Sequence, residues 1–178
     1  MKFTFAGVVA VLLAGMSLGQ DAPKPHKEHE FLKQLEGEWT TESEAVMEPS
    51  KAASKWKGTD STRNLGGFWA LSEMKGDAMG EAMTGILTVG YDPAKKKYVG
   101  TWVCSMSDTM FHYDGTLDST GKVLTLNTEG PNPASGKTVK MRDVIEIKDK
   151  NTRVLTSEIL GDDGKWTKFM SITATRKK

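Results

Sequence analysis

A lone cysteine, Cys104, excludes any intramolecular disulfide. It lies in an apolar stretch and reads as a buried, inert thiol, with no histidine near it in sequence to serve as a base. Charge of one sign is also missing. The chain carries 24 basic and 23 acidic residues, so it has no electrostatic pull toward nucleic acid or an anionic membrane. Histidine is sparse: His26, His29 and His112 lack metal-ligand spacing, and neither a metal nor a cofactor is expected. There is no Gly-rich phosphate loop, no Gly-x-Ser-x-Gly elbow, no His-Glu-x-x-His helix and no cysteine pair. The commoner enzyme signatures are therefore absent, and no catalytic residue is assigned.

What is present begins with a leader. Lys2 supplies a positive start, residues 6–18 are apolar apart from Ser17, and Ser17-Leu18-Gly19 offers small residues for a signal peptidase. Residues 1–19 read as a signal peptide, which places the mature start at Gln20 and the protein in the periplasm or outside the cell. The apolar stretch is shorter than the roughly 20 residues of a membrane span, so no span is expected once the leader is removed. Removal takes away one charge, Lys2, and leaves the two signs balanced. Residues 20–27 carry two prolines and no periodicity and read as a flexible tether. Residues 28–178 read as a single domain, long enough to bury its own core.

Within that domain Phe31, Leu32 and Leu35 recur at helical spacing and stop at Gly37, predicting a short amphipathic helix that plugs one end of the fold. Ten alternating segments follow, at 38–47, 55–65, 68–75, 83–91, 98–106, 110–117, 123–127, 139–147, 154–160 and 166–175. Turn signals separate them, among them Gly66-Gly67, Asp92-Pro93, Asp118-Ser119-Thr120-Gly121 and Gly161-Asp162-Asp163-Gly164. The connections are too short for crossover helices, so the strands run antiparallel. The expected fold is all-β, an up-and-down meander of about ten strands closing into a barrel and losing its edges.

A barrel puts chemistry in its lumen, so inward side chains are the candidates. Val139, Met141, Asp143, Ile145 and Ile147 share one face of their strand. A carboxylate on an apolar face must be paired, hydrogen-bonded or protonated, which makes Asp143 either a ligand-orienting or acid/base group or a member of a buried network, with an arginine on a neighbouring strand as one partner. Glu73 and Glu158 carry the same ambiguity. Trp69 shares a face with Leu71 and Glu73; Trp102 aligns with Gly100, Cys104 and Met106; His112 sits between Phe111 and Tyr113. Trp69, Glu73, Trp102, Met106, His112, Asp143 and Glu158 are thus the lumenal candidates for holding a small apolar or amphipathic ligand. The alternatives are an enzyme using Asp143, Glu73 or Glu158 as general acid or base, and a packed barrel acting through its surface. The oligomeric state is left open.

Leu35-Glu36-Gly37-Glu38-Trp39, Ser72-Glu73-Met74-Lys75-Gly76, Gly90-Tyr91-Asp92-Pro93 with the run from Lys95 to Trp102, and Lys140 to Val144 with Thr175-Arg176 together resemble the bacterial family known as domain of unknown function 1579. The resemblance covers nearly all of the mature chain. It implies a lipocalin-like barrel of the calycin type and no established activity. Gly37-x-Trp39 also resembles the lipocalin opening, in which the tryptophan closes the barrel base under a late arginine; Arg176 is the residue placed to fill that role. A nitrobindin-like haem site, which uses a histidine from the late strands, is not implied, because no histidine follows His112.

Overall fold

The computed structural model describes residues 23–46, 51–78, 80–132 and 134–178. The proposed leader, the first three residues of the proposed tether, and Met47 at the end of the first expected strand lie outside them. All ten expected strands are present: β1 (Gly37–Ala45), β2 (Ser54–Leu65), β3 (Trp69–Ala78), β4 (Glu81–Asp92), β5 (Lys97–Cys104), β6 (Phe111–Leu117), β7 (Val123–Pro131), β8 (Thr138–Asp149), β9 (Thr152–Leu160) and β10 (Trp166–Arg176). Each pairs antiparallel with its sequence neighbours, and β10 returns to pair with β1, closing the barrel. β7 runs to Pro131 rather than stopping at 127, because Glu129, Gly130 and Pro131 continue to pair with Lys140, Val139 and Thr138 of β8. The proline is tolerated at the strand's last position, where its missing N–H does not interrupt the ladder.

A 3-10 turn (Lys27–His29) and helix α1 (Glu30–Leu35) precede the barrel. Six residues are too few for a helix to stand alone. Burial holds it: Phe31, Leu32 and Leu35 are all but inaccessible and pack with Val89, Tyr98, Leu124, Leu126, Ile145 and Ile147. The Tyr98 hydroxyl also donates to the Glu28 carbonyl at 2.6 Å. The segment entering the helix lies against the same end, with Pro25 over Gly67 and the buried His29 edge-on to Phe68 and Tyr91. At least Pro25 and His26, expected in a free tether, are thus held against the barrel, His26 stacking on His29.

The last carbonyls of a helix have no partner within it, and here the barrel floor supplies them. Trp39 Nε1 and Arg153 Nη1 both donate to the Leu35 carbonyl, at 3.0 and 2.9 Å. Arg176 donates to the carbonyls of Glu36, Gln34 and Lys150. Arg176 and Trp39 are cross-strand partners, and the two guanidinium carbons lie 4.1 Å (Arg176) and 4.4 Å (Arg153) from the Trp39 ring centroid, within cation–π range. Gly37 is required beside them. Its φ is +126°, and a Cβ there would stand 2.2 Å from Arg176 Nη1. That is the physical content of the Gly-x-Trp opening.

Arg153 also forms the buried ion pair of the molecule's interior, Nη2 lying 2.5 Å from Asp60 Oδ2 with 9% and 2% of the side chains exposed. Burial draws the guanidinium pKa below its ordinary value, and the Asp60 carboxylate opposes that shift. Thr62 and Ser72 donate to Asp60 Oδ1 at 2.9 and 2.5 Å, so the carboxylate is hydrogen-bonded through both oxygens. Removing one partner strands the other charge. Arg153→Met is expected to destabilise the fold by about 3–5 kcal/mol, measured by urea unfolding, whereas the double variant Arg153→Met/Asp60→Leu should recover a large part of the loss. A single variant as stable as the wild type would show that the pair carries no such role.

Candidate functional site

The cross-strand registers fix which residues share the lumen. Pairing runs around the barrel as Ala45–Ser54, Trp102–Leu87, Trp102–Phe111, Asp143–Leu126, Asp143–Ser157 and Ser157–Met170. The lumen divides into two halves. Toward α1 it is filled, and the remaining void beside Asp60, Thr62, Ser72 and Arg153 is a cavity of about 30 Å³, room for about one or two waters. Toward the opposite end the inward residues Trp56, Met83, Trp102, Cys104, Phe111, Val139, Ile159 and Met170 are only half-buried. These partly exposed, mostly apolar inward faces make up the upper end of the lumen, the cup.

Aromatic rings shape its side. A Cβ at Gly85 would fall 2.0 Å from the Trp102 ring and one at Gly130 2.2 Å from the Phe111 ring, so each ring lies on a glycine of the adjoining strand. The rings cover backbone that glycine leaves bare, and glycine gives them the space to lie flat.

Asp143 projects into the lumen below these rings. Ser157 Oγ donates to its Oδ1 and Tyr113 Oη to its Oδ2, both at 2.5 Å. Burial raises the Asp143 carboxyl above its ordinary value, and the hydrogen bonds from Ser157 and Tyr113 counteract part of that rise. The Tyr113 hydroxyl is pushed well above its ordinary value, first by burial and then by the charge of Asp143. Of the three carboxylates considered for acid/base chemistry, Asp143 alone faces the lumen. Its partners are two hydroxyls and not an arginine: Arg153 is committed to Asp60, and Arg142, on the same strand as Asp143, points outward.

Several expected lumenal residues lie elsewhere. Trp69 is on the outer face, 39% exposed, with its ring over Gly90; the inward residues of β3 are Ala70, Ser72 and Met74. Glu73 shares that outer face and pairs with Lys75 at 2.8 Å. His112 is exposed on the outside of β6, because Phe111 and Tyr113 take the inward positions. β5 ends at Cys104, leaving Met106 in the following turn, 43% exposed. Glu158 lies outside on β9 and binds Arg142 Nε at 2.5 Å, the Arg142 guanidinium lying 4.3 Å from the Trp166 ring centroid. Cys104 faces the cup and is half-buried rather than buried. Trp102 and Asp143 remain in the lumen. Sequence reasoning missed Tyr113, Ser157, Asp60 and Arg153. The β9 alternation Arg153-Leu155-Ser157-Ile159, with polar residues on an otherwise apolar face, carried the signal for two of them. Among the described residues no group of three or more His, Cys, Asp or Glu side chains is placed to hold a metal.

A raised carboxyl pKa means that the folded protein binds the Asp143 proton more tightly than the unfolded chain does. The stability tied to this group is then complete below the ordinary value of 3.8 and is lost as pH rises through the folded value. In urea titrations, the unfolding free energy of the wild type minus that of Asp143→Asn should move in favour of the wild type as pH falls from about 7 toward 3.8. A difference moving the other way would mean that the two hydroxyl bonds outweigh burial.

The comparisons with known proteins agree with the barrel fold. The family model described as "Protein of unknown function (DUF1579)" matches residues 24–176. A search of the curated proteins finds no match. Among solved structures, the fold is similar to that of Rv2717c from M. tuberculosis, with a TM-score of 0.64 at 11% identity over 87% of this chain and 100% of that one. At that identity the likeness speaks for the fold alone. With the family model spanning β1 through β10, the chain belongs to the DUF1579 family of proteins of unknown function.

Proposed function

We propose that the barrel is a binding module that admits a small amphipathic molecule through the end opposite α1 and orients it on Asp143, Tyr113 and Ser157. The observation that carries this reading is the hydrogen-bonded cluster of Asp143, Tyr113 and Ser157 among inward residues that are mostly apolar and, toward the upper end, half-buried. Ligand sites commonly combine apolar walls with a few convergent polar groups. The filled lower half and the floor arginines leave the upper end as the route of entry.

The neutral fluorescent probe N-phenyl-1-naphthylamine tests it. The expected result is saturable binding at one probe per barrel with quenching of tryptophan emission. A matched pair of variants locates the site. Gly85→Ala drives the Trp102 ring off its glycine toward the cup, while Gly90→Ala disturbs Trp69 on the outside, where a Cβ would fall 2.3 Å from the ring. Probe affinity should fall several-fold in the first, by roughly the scale of one misplaced apolar group, and stay unchanged in the second. No saturable binding to the wild type, or equal loss in both variants, would sink the reading.

We infer in addition that the protein works outside the cytoplasm, a reading supported by the leader pattern of residues 1–19. Intact-mass measurement of protein recovered from its host should give a chain starting at Gln20; a cytoplasmic chain retaining Met1 or Lys2 would refute export.

A further inference from the structure

Asp143 uses only part of its accepting capacity. An ionised carboxylate offers about four lone-pair sites over its two oxygens, and Ser157 and Tyr113 occupy one on each. Both donors are neutral. The cross-strand partners of Asp143 are Leu126 on β7 and Ser157 on β9, β6 contributes Tyr113, and the next inward residue of β7, Thr128, is uncharged. On β8 itself, Arg142 and Glu146 face outward; Arg142 pairs with Glu158 and Glu146 with Lys148. The lumenal cations are Arg153 and Arg176, and the floor holds both, on Asp60 and on the carbonyls around α1. Among the described residues, no cation contacts Asp143.

A carboxylate in apolar surroundings without a counter-ion is in a costly state. Two things relieve it: a proton, or a cation brought by a ligand. The walls favour the second as well. Trp102, Phe111 and Tyr113 bring three aromatic rings to the lumenal faces of β5 and β6, whose paired residues include Trp102–Phe111 and Gly100–Tyr113. Such rings offer a large apolar surface to the body of a ligand whose charged end reaches Asp143.

We propose that the cup selects an organic ammonium ion, an amine with an apolar body, whose charge rests on the free lone pairs of Asp143 and whose body lies against Trp102, Phe111 and Ile159. This rests on the binding-module reading and adds the charge of the occupant. An ammonium group supplies three N–H donors and no acceptor, which complements a carboxylate that still has accepting sites free. An alcohol of the same length fits the walls but brings no charge. A fatty acid brings the wrong one. Protonating Asp143 removes the counter-ion, so the preference for the amine disappears at low pH. Burial places that change above the ordinary carboxylate range.

The test uses the full mature chain and three probes of one length: octylamine, octan-1-ol and octanoate. Binding is measured by calorimetry near neutral pH and again in acid, where octylamine stays protonated. Octylamine is expected to bind about tenfold or more tighter than octan-1-ol, the scale of a hydrogen bond to a charged group, with octanoate weakest. The preference should vanish in acid and in Asp143→Asn, and persist in Glu158→Gln, which alters a carboxylate on the outer face. The acid series on the wild type needs no variant to fold. Equal affinity for amine and alcohol, tighter binding of octanoate, or an amine preference that survives Asp143→Asn overturns the inference while leaving the binding module standing. If none of the three binds and N-phenyl-1-naphthylamine does not bind either, the binding module fails and the inference with it.

Discussion

The buried contact between Arg153 and Asp60 governs how the rest of the molecule is arranged. A guanidinium this far from water must have every donor direction answered. Arg153 answers through three elements at once: Asp60 and Thr62 on β2, the Leu35 carbonyl at the end of α1, and the Trp39 ring on β1. Ser72 on β3 adds the second oxygen of Asp60 to the same network. The plug helix, too short to persist alone, is thereby tied at its C-terminus to both sides of the barrel seam. Arg176 repeats the arrangement one strand away.

That floor sets the character of the other end. With both lumenal arginines committed below, the carboxylate of Asp143 has hydroxyl partners only, and among the described residues it has no counter-ion in the upper lumen. Glycines under Trp102 and Phe111 allow the rings to lie against the sheet instead of crossing the lumen. The barrel is filled toward α1, where the packed residues lie over the charged floor, and its inward residues are partly exposed toward the other end.

Strand parity was legible wherever one face of a strand was apolar and the other polar. β8 is such a strand, and Asp143 stood out on it for that reason. β3 is not. Its lumenal residues are Ala70, Ser72 and Met74, small or adaptable, while Trp69 and Leu71 lie outside, where the Trp69 ring covers the bare backbone of Gly90. A large aromatic normally marks the core, and here it marks a glycine on the next strand. β2 is polar on both faces from Lys57 to Asn64, so nothing in its alternation singles out Asp60 as buried. Met106 was misplaced for a simpler reason: β5 and its turn are continuous in composition, and only the loss of pairing after Cys104 ends the strand.

By itself the sequence determined the ten-strand meander, its turns, the plug helix and the family. These follow from local periodicity, from glycine, proline and aspartate at the bends, and from motifs spread along nearly the whole chain. The tertiary structure alone decided the partners. Asp60 and Arg153 are 93 residues apart and Tyr113 and Asp143 30 apart, and no local pattern encodes which polar residue meets which inside a closed sheet. Cross-strand register through β7 sets Tyr113 beside Asp143, and closure of β1 on β10 brings Asp60 on β2 to Arg153 on β9.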